Sequence, residues 1–185
     1  SIAVRGNLVY VLNAGGPGIV QGFRLGPHGL RALPGSARSL GLANTSPPDF
    51  LTSPGQVGFT PDGRQLIVTT KASGSTIDVF QVDRDGLLST TPVRNPSATP
   101  VPFAFTFTPN GHLAMGEAGA STVTAYDVDR DGTISALGSQ ADTSSPGSRG
   151  RASPVTSSAR SSPAARTWST SVPSWSRPGI GSALA

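Results

Sequence analysis

Residues 59–63 read Phe-Thr-Pro-Asp-Gly, and residues 107–111 read Phe-Thr-Pro-Asn-Gly, 48 residues further along the chain. Proline fixes φ and glycine accepts a positive φ, so each segment is typical of a tight turn between strands. A second segment, Val-Asp-Arg-Asp-Gly at 82–86, returns at 128–132. Because the two markers recur in the same order, they indicate a structural unit of about 45 residues that occurs more than once.

The repeat unit reads as four short strands. The period-2 alternation of residue types and the β-branched residues of the middle copy predict strands, at Gln56–Thr60, Gln65–Thr70, Thr76–Val82 and Leu87–Val93. The same frame reaches back, without gaps, to residues 6–29, so three copies are visible. Four antiparallel strands per unit form the blade of a β-propeller. We therefore predict an all-β chain, a partial β-propeller of about three four-stranded antiparallel blades, near 1–46, 47–99 and 100–145.

The motif series resembles the lactonase-type seven-bladed β-propellers, a family that includes 6-phosphogluconolactonase-like and carboxymuconate-cyclase-like proteins. The resemblance covers about residues 3–143 and is carried by Phe-Thr-Pro-Asp-Gly, the β-branched strand after it, and Ile-Asp-Val-Phe before the Asp-Gly turn. It implies that the complete propeller hydrolyses a sugar lactone or a related cyclic ester. The alternative is a non-catalytic propeller that serves as a binding or structural scaffold. We expect no cofactor in either case.

The predicted blades do not account for the whole chain. Propellers typically have 4–8 blades, so three blades leave strand edges open and need the missing blades for closure. We therefore expect this chain alone to have little or no activity. Residues 146–185 are rich in Ser, Arg and Pro and contain no acidic residue, which predicts a disordered tail. A second interpretation is that the tail is an out-of-frame translation of the next blade, because the repeat predicts the inner strand of that blade near residue 162.

Composition and charge exclude several function classes. The chain has no Cys, so it has no disulfide framework and no thiol nucleophile. Its net charge of +4 comes from five arginines after residue 146, whereas all ten acidic residues precede that position. A basic folded face is therefore not implied, and we expect no nucleic-acid partner. No apolar run approaches the ~18 residues of a membrane span, so we expect none.

Candidate site residues follow from where propellers bind ligands, at the channel end where the second strand of each blade ends. The repeats place Asn13, Thr70 with Lys71, and Glu117 at these positions. Lys71 and Glu117 are the only lysine and the only glutamate in the sequence. A carboxylate there can act as a general base, and a cation can hold an acidic substrate or stabilise an oxyanion. We predict Glu117 and Lys71 as catalytic residues and Asn13 and Thr70 as channel-loop residues, with solvated loop charges as the alternative.

Two other groups of residues invite a functional interpretation. Residues 127–132 read Asp-Val-Asp-Arg-Asp-Gly, which matches the start of a calcium loop, but the bidentate carboxylate at position 12 is missing. Gln81 replaces Asp127 in the middle repeat, so we interpret the motif as a turn and predict no metal site. His28 and His112 lie beside turn glycines and are predicted to be surface turn residues.

Location is only weakly constrained by the sequence. The absence of Cys and the abundance of Ser, Thr and Gly are typical of an exported bacterial protein. The chain begins at Ser1 without a charged and then apolar leader. We expect the signal region of such a protein to be absent from this chain. The expected ligand of the complete propeller is a small lactone.

Overall fold

The structure is a computed structural model, and it describes residues 1–45 and 47–141. The strands form three antiparallel sheets, which we call blades 1, 2 and 3. Blade 1 contains β1 (Ile2–Arg5), β2 (Leu8–Asn13), β3 (Ile19–Gly26), β4 (Gly29–Ala32) and β5 (Arg38–Ser39), which also pairs with β3. Blade 2 contains β6 (Pro54–Phe59), β7 (Gln65–Thr70), β8 (Thr76–Gln81) and β9 (Val93–Pro96). Blade 3 contains β10 (Pro102–Phe107), β11 (Leu113–Glu117), β12 (Thr122–Val128) and β13 (Ile134–Ala141).

This architecture confirms the predicted fold class, an all-β chain with about three antiparallel blades. The only described helix is the single turn α1 (Lys71–Gly74). Among the described residues, no helix is long and apolar enough to cross a membrane. The exact blade limits stay a prediction. The tail 146–185, with its two interpretations, lies outside the described residues.

The repeated Phe-Thr-Pro turn joins the first and second strands of blades 2 and 3. In blade 2 the Gly63 N–H donates to the Thr60 carbonyl at 2.8 Å, and Gly63 has a φ of 65°. The Thr60 hydroxyl also donates to an oxygen of Asp62 at 2.8 Å, which fixes the turn from within. Gly111 has a φ of 86° at the same place in blade 3. Only glycine adopts such a φ without strain, which explains the motif.

The fourth strand of blade 2 differs from its prediction over residues 87–93. Leu88 is 3% exposed and makes one isolated bridge to Val82, so pairing does begin where it is predicted. The chain then leaves the ladder through Pro92, which has no N–H to donate. Regular pairing resumes only in β9, at Val93–Pro96. The ladder is therefore interrupted between Leu88 and Val93, which residue alternation does not reveal.

Two apolar clusters join the blades. We call the face that packs on the preceding blade the leading face, and the opposite face the trailing face. The first cluster joins the trailing face of blade 1 to the leading face of blade 2, through Leu8, Tyr10, Leu12 and Val20 against Val57, Leu66, Val68 and Phe80. The second joins blade 2 to blade 3, through Ile67, Ile77 and Val79 against Phe105, Leu113, Met115 and Tyr126. Full burial of each such side chain contributes about 1.5–3 kcal/mol, so these clusters hold the blades together.

Side chains of one blade also bond to the main chain of the next, at the Asp-x-Asp-Gly turns. The Tyr10 hydroxyl of blade 1 donates to the Gly86 carbonyl at 2.6 Å, and burial raises the pKa of Tyr10 to about 12. Between blades 2 and 3, the Gln65 amide donates to the Asp129 carbonyl at 2.8 Å. Each Asp-x-Asp-Gly turn therefore presents carbonyl acceptors to the preceding blade.

Candidate functional site

The predicted site residues lie at one end of the blades, where the second strand of each blade turns into the third. Asn13 ends β2, Thr70 ends β7 and Glu117 ends β11, while Lys71 begins the helical turn α1. The connections between blades reach the same end, because each fourth strand must return there to start the next first strand. The structure thus places all four predicted residues at the same end of their blades.

Lys71 is enclosed by aromatic side chains rather than solvated. It is only 3% exposed, and its ammonium lies 4.0 Å from the ring centroid of Phe50 and 5.0 Å from that of Phe103. The Nζ atom also donates to the Phe50 carbonyl. Burial lowers the pKa of Lys71, while the nearby Asp49 carboxylate acts in the opposite direction. Two rings and one carbonyl therefore fix a cation at this end.

The loop that covers Lys71 is held in shape by Asp49. One Asp49 oxygen accepts the N–H groups of Leu51 and Thr52, each at 3.0 Å. These hydrogen bonds lower the pKa of Asp49, led by the bond from Thr52. The turn presents Phe50, whose side chain is 65% exposed, beside the buried ammonium. An exposed apolar ring thus covers a buried cation.

Glu117 is buried in a network of hydroxyl groups in blade 3. One carboxylate oxygen accepts hydrogen bonds from Ser97 at 2.7 Å and Tyr126 at 2.5 Å. The other accepts from Thr122 at 2.9 Å and Thr124 at 2.5 Å. The side chain is 1% exposed. All of these donors are neutral hydroxyls, so within the described part of the chain the carboxylate is held by hydrogen bonds and not by an ion pair.

The pKa of Glu117 shows which influence dominates in this network. Burial alone would raise the pKa, but the hydrogen bonds from Thr124, Tyr126 and Ser97 together outweigh it and lower the pKa below its ordinary value. A carboxylate with a lowered pKa and four donors is a weak proton acceptor. The catalytic role of Glu117 stays a prediction, and this geometry favours a positioning role.

The network extends from Glu117 to the connection between blades 2 and 3. The Tyr126 hydroxyl donates to Glu117 and accepts the Ala98 N–H at 2.8 Å. Burial, followed by the bond to Glu117, raises the pKa of Tyr126. Ser97, one residue earlier, donates to the same carboxylate. Glu117 therefore anchors the chain segment that enters blade 3.

The channel-loop predictions have different surroundings. Thr70 is buried, and its hydroxyl lies 2.7 Å from that of Thr76 and accepts the Thr76 N–H at 3.0 Å. Asn13 is exposed and pairs with Ile19 across the strand turn. Thr70 thus closes the hairpin next to Lys71, whereas Asn13 faces solvent. Their proposed part in a ligand site stays a prediction.

The structure does not bring the two predicted catalytic groups into contact. Lys71 is held by Phe50 and Phe103, while the Glu117 carboxylate is directed into its hydroxyl network. Within residues 1–45 and 47–141, no ion pair joins the two groups, and the recorded pairs involve other residues. They share one end of the blades but act through separate contacts.

Sequence reasoning missed a second buried carboxylate, Asp78 of β8. It is 1% exposed, one oxygen accepts the Thr76 hydroxyl at 2.7 Å, and the Arg94 Nε lies 3.7 Å away. Its Oδ2 atom is buried without a hydrogen-bond partner in the described chain. Burial raises the pKa of Asp78, although Thr76 and Arg94 act against this. Strand alternation could have placed it on an interior face, because it shares that face with Phe80.

The calcium-like motif is a turn in the structure. The Gly132 N–H donates to the Asp129 carbonyl at 3.0 Å, and an Asp131 oxygen accepts the Thr133 N–H at 2.9 Å. Asp127 instead lies 2.5 Å from the His112 Nδ1 atom. Searching the described part of the chain finds no group of three or more His, Asp or Glu residues that could hold a metal ion. The Asp131 carboxylate thus binds the backbone of its own turn, and the Asp127 carboxylate contacts the His112 ring.

Two clefts lie near the turns and loops of the repeat. One of about 570 Å³ lies on the trailing face of blade 3 and is lined by Phe103, Glu117, Thr122 and Val123, among others. The other, of about 360 Å³, lies between blades 2 and 3 at the opposite end, beside Phe107, Gln65 and Arg130. Only the first is close to the predicted site residues.

Comparison with known proteins supports the fold. A periplasmic gluconolactonase from Pseudomonas aeruginosa is similar, with 22% identity and a TM-score of 0.59 over 72% of this chain and 36% of that protein. A protein described as a 6-phosphogluconolactonase from Bacteroides fragilis has 20% identity and a TM-score of 0.59, over 74% of this chain and 36% of that one. A protein from Lactobacillus plantarum has 16% identity and a TM-score of 0.58, over 76% of this chain and 41% of that one.

These likenesses confirm that the described residues have the fold of a partial β-propeller. The chain spans little more than a third of the length of the two lactonase-like structures. No family model matches the chain, and no curated protein matches it. At identities of 22% or less, the comparisons show the fold and do not show an activity.

Proposed function

We propose that the chain forms part of a lactonase-like propeller that binds a sugar lactone, or a related cyclic ester, at the Lys71 end of the blades. The observation that carries this proposal is the enclosed ammonium of Lys71 beside the exposed ring of Phe50. Small-molecule sites commonly combine apolar and aromatic side chains with a few fixed polar groups. The structural likeness to a gluconolactonase supports the choice of ligand class.

Lactone opening makes specific chemical demands on such a site. Water attacks the ester carbonyl carbon, negative charge develops on the carbonyl oxygen, and the ring oxygen leaves with a proton as a hydroxyl. Lys71 has three N–H donors and uses one on the Phe50 carbonyl, so two can bond to the developing oxyanion or to the product carboxylate once the exposed Phe50 ring moves aside. Glu117 would serve as the base only after releasing a hydroxyl donor, so Lys71 carries the proposal.

Binding and turnover by the full chain test this proposal together. Saturation-transfer NMR with gluconate, the anionic product class, should show binding that is lost in Lys71→Met. Arg84→Met is the matched control, because it removes an exposed cation from the opposite end of blade 2, and it should bind as the parent chain does. Proton release from glucono-δ-lactone should stay at the uncatalysed rate, since three blades do not close a channel. Equal gluconate binding by all three proteins would refute the role of Lys71.

A non-catalytic propeller is the second candidate function. The hydroxyl network of Glu117 favours it, because the buried carboxylate accepts four hydrogen bonds that hold the connection between blades 2 and 3 in place. This candidate predicts no gluconate signal in the parent chain at millimolar ligand. The same NMR measurement therefore separates the two functions.

A further inference from the structure

A cleft of about 360 Å³ lies between blades 2 and 3, at the end of the blades opposite to the predicted site residues. We call this the turn end, because the Phe-Thr-Pro and Asp-x-Asp-Gly turns lie there. Both walls belong to described blades that pack on each other. The volume falls within the range of about 300–1,000 Å³ that is typical of small-ligand pockets. The lining includes Gln65 and Gln81 of blade 2, and Phe107, Val128 and Arg130 of blade 3.

The equivalent cleft between blades 1 and 2 is only about half as large, at about 190 Å³. Cross-strand pairing places Leu8 and Arg24 of blade 1 where blade 2 has Gln65 and Gln81. Leu8 is buried, and the Arg24 guanidinium donates to the Asp85 carbonyl of the next blade at 2.6 Å. These side chains fill and close that junction. The larger cleft is therefore a property of the junction between blades 2 and 3 and not of the repeat as such.

Hydrogen bonds and apolar packing fix the shape of this cleft. The Gln65 amide donates to the carbonyls of Asp129 at 2.8 Å and Arg130 at 3.2 Å, and the Gln81 amide donates to the Arg130 carbonyl at 3.1 Å. Phe107 and Val128 are half-buried against the apolar cluster that joins blades 2 and 3. The cleft thus has an apolar floor beside a turn that is held in place, so a ligand would meet a preorganised surface.

The charged groups of the lining are two cations, Arg64 and Arg130, and one carboxylate, Asp62. One Asp62 oxygen accepts the Thr60 hydroxyl at 2.8 Å and the Arg64 N–H at 3.1 Å. Burial acts to raise the pKa of Asp62, but these hydrogen bonds, together with the nearby guanidinium charges, outweigh it and lower the pKa. Arg64 Nε lies 3.7 Å from the other Asp62 oxygen, whereas Arg130 has no ion pair within residues 1–45 and 47–141. The carboxylate is thus engaged by its own turn, and the net charge of the lining is positive.

We propose that this cleft binds a small aromatic carboxylate, with its carboxylate at Arg64 and Arg130 and its ring on Phe107 and Val128. Guanidinium groups match a carboxylate with paired, charge-assisted hydrogen bonds. An aromatic ring packs on a phenylalanine ring in offset or edge-on geometry. A small anion without a ring would leave the apolar floor uncovered, and a neutral ring would leave the cations unused. The inference does not depend on lactone binding, which is proposed for the opposite end of the blades.

Fluorine NMR titration of the full chain with 4-fluorophenylacetate tests this site. The parent chain should show saturable binding. Two related probes separate the contributions of charge and ring: 4-fluorophenylacetamide lacks the charge, and fluoroacetate lacks the ring. Each should bind at least about tenfold more weakly, because each loses one of the two sets of contacts. Binding of the amide as tight as that of the carboxylate would overturn the proposal, and so would the absence of saturable binding of 4-fluorophenylacetate.

Substitutions locate the ligand on the chain. Arg130→Met and Arg64→Met should each raise the dissociation constant of 4-fluorophenylacetate about tenfold, because each removes a charge-assisted contact. Both positions are exposed, and far-UV circular dichroism identical to that of the parent shows that the variants fold.

Two control variants complete the experiment. Arg84→Met is the matched control, because Arg84 is the equivalent of Arg130 in the turn of blade 2, is also exposed, and lines the smaller cleft. Lys71→Met tests the opposite end of the blades. Both should bind 4-fluorophenylacetate as the parent does. Parent-like binding by Arg130→Met and Arg64→Met, or a signal that is lost only in Lys71→Met, overturns the proposal.

Discussion

Replacing Tyr126 with Phe tests the hydroxyl network that enters blade 3. The substitution keeps the ring, which is 2% exposed in the apolar cluster, and removes only the hydroxyl. That hydroxyl donates to the Glu117 carboxylate at 2.5 Å and accepts the Ala98 N–H at 2.8 Å. A hydrogen bond to a charged group contributes about 1.5–3 kcal/mol, whereas the N–H of the exposed residue Ala98 can bond to water once the hydroxyl is gone. We expect the free energy of unfolding to fall by about 2 kcal/mol.

Tyr10→Phe is the matched control, because Tyr10 is also fully buried and also bonds to another residue through its hydroxyl. Its hydroxyl donates to the neutral Gly86 carbonyl, so the loss of that bond should cost only about 1 kcal/mol. Urea unfolding followed by far-UV circular dichroism measures both variants. With a slope of about 2 kcal/mol per molar urea, the two midpoints should differ by about 0.5 M. Equal midpoints would show that the bond to Glu117 adds nothing and would refute the network's role.

Three further predictions concern single positions. The lowered pKa of Glu117 means that the unfolded chain binds more protons than the folded chain, so the free energy of unfolding should fall as pH drops below about 4.5. In Glu117→Gln, the urea midpoint should change less with pH over that range. Gly63→Ala should cost about 2 kcal/mol, because φ is 65° and the added Cβ meets Arg5, whereas Gly111→Ala, with open space around it, should cost about half as much by thermal unfolding. Burial raises the pKa of Asp78, so the free energy of unfolding falls as pH rises through that pKa and the buried carboxyl group becomes charged. Asp78→Asn removes this charge and should raise Tm at pH 7. An unchanged Tm would contradict this.

The sequence reveals the blades because their signals are local. Proline, aspartate and glycine in residues 59–63 specify a turn by their own backbone preferences, and alternation specifies the strands beside it. The position of the fourth strand is not local in this sense. It depends on where pairing with β8 stops after Leu88 and resumes at Val93. Alternation alone therefore misplaces it.

The candidate site is predicted by position but not by environment. Counting along the repeat places Lys71 and Glu117 at the ends of second strands, and the structure has them there. Their partners come from other blades or connections, such as Phe103 for Lys71 and Ser97 for Glu117. Those partners decide whether a charge is free or enclosed. No pattern within one repeat carries that information.

The contacts at the Asp-x-Asp-Gly turns have a consequence for how such chains change during evolution. Blade 1 bonds to the Gly86 carbonyl and blade 2 to the Asp129 carbonyl, so the acceptor is main chain in both cases. A main-chain acceptor is unchanged by any substitution that preserves the turn. A duplicated blade that contains the turn therefore also contains the acceptor. Only the donor needs a suitable side chain, and Tyr and Gln both serve here. Such a joint allows neighbouring blades to diverge independently, which lets repeat number and surface change without redesign of the core.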